Sequence, residues 1–198
     1  MKRIFLFTIT FAIGLNYNMI YENSLPDCGF CPPNLSSGAY FCMPQNNKGI
    51  AGMTFNLNAE HKISERNYIN LGISVNEKGF IQEGYVIETD SPTETKTDYK
   101  YERKYKCYGI NLGHRFDFVS KYKLKLFTEN KFGYEKTVLN NEIYNNALYF
   151  RSSLGVEYDF SKRFSVKIKG QYNTGLTGYD VKPYSFGALA GLSYKMFL

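Results

Sequence analysis

Large apolar residues and small or polar ones alternate along most of this chain. In its last fifteen residues Tyr184, Phe186, Ala188, Ala190, Leu192, Tyr194, Met196 and Leu198 make one face, with Ser185, Gly187, Gly191, Ser193 and Lys195 on the other. A period of two is the side-chain period of a β-strand. The same pattern places Phe164, Val166, Ile168 and Tyr172 against Ser165, Lys167, Lys169, Gln171 and Asn173, and Leu148, Phe150, Leu154, Val156, Tyr158 and Phe160 against Arg151, Ser153, Gly155, Glu157 and Asp159. Further upstream it continues through YKLKLFTENKFGYEK, CYGINLGHRFDF, NYINLGISVNEKGF and GIAGMTFNLNA. Seven strands are therefore predicted between Gly49 and Leu198, several joined by the short polar turns EHKISER, VSK and SKR.

The N-terminal stretch TITFAIGLNYNMIY, residues 8–21, reads in two ways. Lys2 and Arg3 followed by Ile4, Phe5, Leu6 and Phe7 have the order of a charged and then apolar export signal. From Ile9 onward, however, Phe11, Ile13, Leu15, Tyr17, Met19 and Tyr21 alternate with Thr10, Ala12, Gly14, Asn16 and Asn18, which bulk hydrophobicity alone does not require. Single-chain bacterial outer-membrane barrels have an even number of strands, so residues 8–21 supply the eighth. The expected fold is an all-β, eight-stranded antiparallel up-and-down transmembrane β-barrel, one domain over residues 1–198, with residues 22–48 as a cysteine-containing outer loop. Export then leaves two readings open. Either the chain begins at an internal or misassigned start, or MKRIFLFTITFA is removed and strand one is built from the remainder; no small-residue cleavage site of the A-x-A kind is present.

Connection lengths give a second indication. EHKISER, VSK and SKR are short, whereas the alternate connections, residues 22–48, 79–100, 137–145 and 175–182, are longer. Short turns at one end and long loops at the other are the sidedness of an outer-membrane barrel. A soluble sandwich or lipocalin-like barrel would instead turn the large apolar residues inward. The opposite face, a mixture of Gly, Ser, Asn, Lys and Glu, suits a narrow eight-stranded lumen filled by side chains.

Composition agrees with this reading. Aromatic residues make up 17% of the 198 residues, with 18 Tyr and 16 Phe, a surplus that suits strands and membrane interfaces. The mean hydropathy of -0.37 is too polar for a bundle of membrane helices. The net charge of +6 is spread along the chain with no basic block, which argues against a nucleic-acid partner.

The run GIAGMTFNLNAEHKISERNYINLGISVNEKGF resembles the strand, turn and strand of PorT-like outer-membrane β-barrel proteins, with Lys78 and Gly79 at the closing position of the second strand. The C-terminal strand is similar to the assembly signal of outer-membrane proteins, apolar at every second place, here ending in Phe197 and Leu198. The resemblance implies a small barrel in the bacterial outer membrane, in contact with membrane lipid, inserted by the barrel-assembly machinery and facing an outer ligand or protein partner that it does not name. It says little about activity, because such proteins are grouped by architecture.

Candidate chemistry is sparse. Of the two histidines, His61 falls in an inner-side turn and His114 near the inner end of a strand on the apolar face, neither beside a nucleophile and an orienting carboxylate. No catalytic residue, cofactor or metal is expected. Lys123, Lys125, Glu129, Lys131, Glu135, Arg151, Glu157, Lys167 and Lys169 project to one side of adjacent strands and form a candidate charge network in the lumen. Its functional reading is an anion-selective channel and its structural reading a plug of ion pairs, which a narrow lumen favours. Cys28, Cys31 and Cys42 cluster in the first outer loop, where an oxidising envelope favours a disulfide from Cys42 to Cys28 or Cys31 over CGFC redox chemistry, while Cys107 stands alone on a strand.

Overall fold

The structure is a computed structural model and describes residues 5–20, 40–88, 95–139, 142–177 and 183–197. Nine strands are present among them: β1 (Phe5–Ile20), β2 (Tyr40–Gly49), β3 (Ala51–Lys62), β4 (Asn67–Glu88), β5 (Thr95–Lys121), β6 (Leu124–Leu139), β7 (Glu142–Asp159), β8 (Phe164–Thr177) and β9 (Pro183–Phe197). β2 and β3 form a single stave. Both pair with β4, and only Ile50 lies between them, its amide donating to the Gly79 carbonyl at 3.3 Å. Between the partner pairs Gly49↔Phe80 and Thr54↔Asn76, residues 50–53 oppose residues 77–79, so the stave carries one extra residue, a β-bulge.

Every pairing is antiparallel, and the ring closes. β4 joins β5, the series β5 to β9 pairs in chain order, and β1 lies between β9 and β3. The result is a closed eight-stranded antiparallel barrel. Closure is what removes the two sheet edges whose unpaired N–H and C=O groups would otherwise be stranded in hydrocarbon. The alternation shows in the described side chains of β1: Phe11 faces Leu192 of β9 and Leu57 of β3, while Thr8, Thr10, Ala12 and Asn16 turn inward and are buried.

The apolar side chains lie outside. Leu15, Leu71, Ile110, Phe132, Leu154 and Ile168 are each about three-fifths exposed, a distribution that is costly in water and favourable in lipid. Aromatic rings gather at both ends of this belt. Phe164 packs on Tyr194 at 5.1 Å and stacks on Phe160 near the short turns, and Tyr172 packs on Phe186 at 5.0 Å near the other end. These are the two aromatic girdles of a membrane barrel.

Several expected boundaries shift. β3 runs through His61 to Lys62, so His61 is a strand residue, and β5 continues through VSK to Lys121, placing the turn at residues 122–123. The outer connections are also shorter than expected. Tyr40–Gly49 is a strand, not part of a 22–48 loop, and β4 and β5 pair from Glu88↔Thr95 downward. At 22 and 27 residues these two strands far exceed the roughly 9–11 that cross a membrane, so they form an arm beyond the outer rim. Ladder hydrogen bonds need no apolar face, which is why the polar TKTDYKYERKYK forms a strand there. On that arm Glu83 receives Lys48 and Lys100 at 3.1 Å each, linking three strands, and these contacts hold its carboxyl below the usual carboxylate range.

Candidate functional site

The polar face of the alternation converges in the lumen. Its inner half, nearest the short turns, holds four cations and four carboxylates in one cluster. Arg115 meets Asp117 at 2.7 Å, Glu157 at 2.6 Å and Glu60 at 3.1 Å. Lys167 meets Glu60 at 2.7 Å, Lys125 meets Asp159 at 3.4 Å and Glu157 at 3.5 Å, and Lys195 meets Glu157 at 3.3 Å and also pairs with Asp159. The members come from β3 and from β5 to β9. β1 adds Thr10, which accepts from Lys167, and β4 adds Tyr68, whose ring lies 5.0 Å from the Arg115 guanidinium. All eight staves are thereby tied across the axis. Burial of this kind is tolerated only when each charge is paired and hydrogen-bonded.

Above this cluster Phe127 faces inward with its ring 4.1 Å from the Arg115 guanidinium, a cation–π contact, and Leu189 is also buried. A middle tier follows. Glu129 receives Lys169 at 2.5 Å, Lys131 at 3.0 Å and Asn70 at 2.9 Å, and Lys131 also donates to Asn58 at 2.6 Å. In the outer tier Lys78 pairs with Glu135, and Arg151 donates to the side-chain oxygens of Asn173 and, at 3.1 Å, Asn56. The Tyr149 ring crosses this tier over Gly133, where a Cβ would overlap it, so a residue without a side chain is required there.

Eight of the nine network residues read from the sequence therefore lie in the lumen. Lys123 does not: it is exposed in the turn at residues 122–123, because β5 ends later than VSK implied and the lumen-facing series on β6 begins at Lys125. Six further members, Glu60, Lys78, Arg115, Asp117, Asp159 and Lys195, lie outside the expected network although each shares the inward parity of its strand, and the alternation already puts Asp159 and Lys195 on the polar face. His114 is exposed and lies 2.9 Å from the Asn67 amide oxygen, and His61 is exposed on β3. Cys107 is buried, with its sulfur 3.5 Å from the Thr137 hydroxyl. Cys42 lies in β2 opposite Val86, and the disulfide expected from it to Cys28 or Cys31 falls on residues outside those described.

A closed antiparallel barrel with an apolar exterior, girdled by aromatic rings and filled by ion pairs, defines a transmembrane β-barrel of the bacterial outer-membrane kind. Solved structures share this fold. The chain is similar to Neisserial surface protein A, at 13% identity over 96% of this chain and 97% of that one, with a TM-score of 0.58. It is also similar to the N-terminal β-barrel domain of OprF from Pseudomonas aeruginosa, at 10% identity over 98% of this chain and 100% of that one, with a TM-score of 0.51. At such identities the likeness is one of fold. No protein-family model matches the chain, and no curated protein matches it.

Proposed function

We propose that this protein is a non-enzymatic outer-membrane barrel, PorT-like in kind, that anchors its outer strands and loops for a structural or interaction role. The observation that carries this reading is the inner charge cluster, whose contacts join all eight staves across the axis. A lumen closed by balanced ion pairs favours a rigid support over a conduit. The β4–β5 arm, braced by Lys48, Glu83 and Lys100, is the surface such a support presents. A second reading, a small-solute or anion channel, is favoured by the surplus of cations in the middle and outer tiers, where Lys131, Lys169, Lys78 and Arg151 face Glu129 and Glu135. Planar-bilayer recording on the refolded chain separates them. Silent bilayers are expected; sustained, anion-biased openings would replace the first reading with the second.

A further inference from the structure

Arg151 is 3% exposed, yet among the described residues it has no carboxylate within ion-pair distance. Its hydrogen bonds go to two neutral amide oxygens, on Asn173 and Asn56. Its direct cross-strand partner is Lys131, so two inward-facing cations stand opposite one another on β6 and β7, an arrangement that is ordinarily destabilising. Lys131 shares Glu129 with Lys169, and Lys78 pairs with Glu135, whereas the Arg151 guanidinium has no carboxylate within ion-pair distance among the described residues. The inner cluster, by contrast, balances four cations with four carboxylates.

Two donors near Arg151 lack acceptors. The Asn56 amide nitrogen has no partner although its oxygen is bound to Arg151, and the buried Tyr149 hydroxyl has none. A small cavity at the outer end of the lumen is bordered by Asn76, Lys78, Glu135, Tyr149, Arg151 and Asn173. Lys78, 16% exposed at its side chain, marks the side from which solvent reaches it. The cavity has room for a particle about the size of one water molecule, too little for an organic acid.

We propose that the outer tier of the lumen is a binding site for one small inorganic monoanion, held by the Arg151 guanidinium. The anion supplies Arg151 with the negative partner that carboxylates give the other buried cations of the lumen. It also accepts from N–H groups that two amide oxygens leave unused, since a guanidinium carries five donors.

The test uses the full chain folded in detergent micelles, with chloride as probe. Chloride-35 NMR line width is titrated at constant ionic strength, gluconate replacing chloride. Saturable broadening is expected for the unchanged chain. Arg151→Gln should weaken the apparent affinity roughly tenfold or more, the scale of a lost hydrogen bond to a charged group. Lys123→Gln, at an exposed turn position, should change nothing. Absence of saturable broadening, or broadening unchanged in Arg151→Gln, overturns the proposal. If Arg151→Gln does not reach the folded form on a heat-modifiability gel, anomalous diffraction from bromide-grown crystals of the unchanged chain decides. A peak beside Arg151 supports the site, and peaks elsewhere alone overturn it. None of these measurements depends on whether the barrel conducts.

Discussion

Arg115 on β5 and Glu157 on β7 meet at 2.6 Å across the inner lumen, although β6 stands between their strands. Glu157 also receives Lys125, Lys167 and Lys195 within 3.8 Å. It is therefore a shared counter-charge, and its removal leaves several buried cations under-compensated. Glu157→Gln should lower stability by about 3–5 kcal/mol, the usual cost of breaking a buried pair from one side. Reversible urea unfolding from lipid vesicles measures this. A loss under about 1 kcal/mol, the range of exposed pairs, would mean that water already screens the cluster.

Barrel closure rests on β1, and specifically on its register with β9. Phe11 faces Leu192 directly, and in antiparallel sheets such partners have Cα atoms roughly 4.5–5.5 Å apart, within disulfide reach. With the four native cysteines changed to serine, Phe11→Cys together with Leu192→Cys should form an intramolecular bridge on oxidation. Phe11→Cys with Ala190→Cys, shifted along the strand, should bridge less efficiently. Equal bridging of both pairs, or of neither, would remove β1 from the position next to β9.

The fold was legible because lipid and lumen impose opposite demands on successive residues, and that contrast is written into the chain as a period of two. β1 shows it most clearly: Phe11 and Ile13 face outward beside Leu192 and Ala190, and Thr10 and Ala12 are buried. Where the sequence lacks that contrast, as in β2 and the outer parts of β4 and β5, the pattern predicts loop although the backbone pairs as strand. The lumen was half legible. Parity identified Lys125, Glu129 and Arg151, but the partners of a charge lie across the barrel, separated by 107 residues for Lys167 and Glu60 and by 157 for Lys167 and Thr10, and spacing does not encode which strands face one another. Phe127 and Leu189 obey the inward parity while having outward chemistry, so hydropathy alone could not assign them to the interior. Lys123 failed for a local reason, a turn displaced to residues 122–123, where Tyr122 takes a φ of 52°.

The outward belt makes a depth-dependent prediction. Leu154 lies on β7 within the apolar belt, away from its inner end, and is 63% exposed, whereas Phe160 sits at the inner rim, stacked on Phe164. Arginine at the bilayer midplane of a barrel costs about 2–4 kcal/mol and falls to about 0–1 near the interface. Leu154→Arg should therefore destabilise the vesicle-inserted barrel by that larger amount and Phe160→Arg by the smaller one. Equal costs at both positions in unfolding titrations would deny that the belt is a lipid contact.

Cys107 tests the packing of the outer half of the lumen from within. It faces inward on β5, is 1% exposed, and lies against Thr137 of β6. A maleimide reacts through the thiolate and needs a path to the sulfur, so a side chain enclosed by packed neighbours is protected irrespective of reagent concentration outside. In a chain with Cys28, Cys31 and Cys42 changed to serine, a membrane-impermeant maleimide should leave the vesicle-inserted protein unlabelled over a period that labels the urea-unfolded chain completely. Thr137→Ala removes the neighbouring hydroxyl and should not by itself admit the reagent, because the enclosure comes from the surrounding staves and not from that one contact. Rapid labelling of the folded protein would mean that a solute far larger than a halide ion enters the outer lumen. A small enclosed cavity at Arg151 and a lumen plugged by side chains would then both have to give way to an open channel mouth.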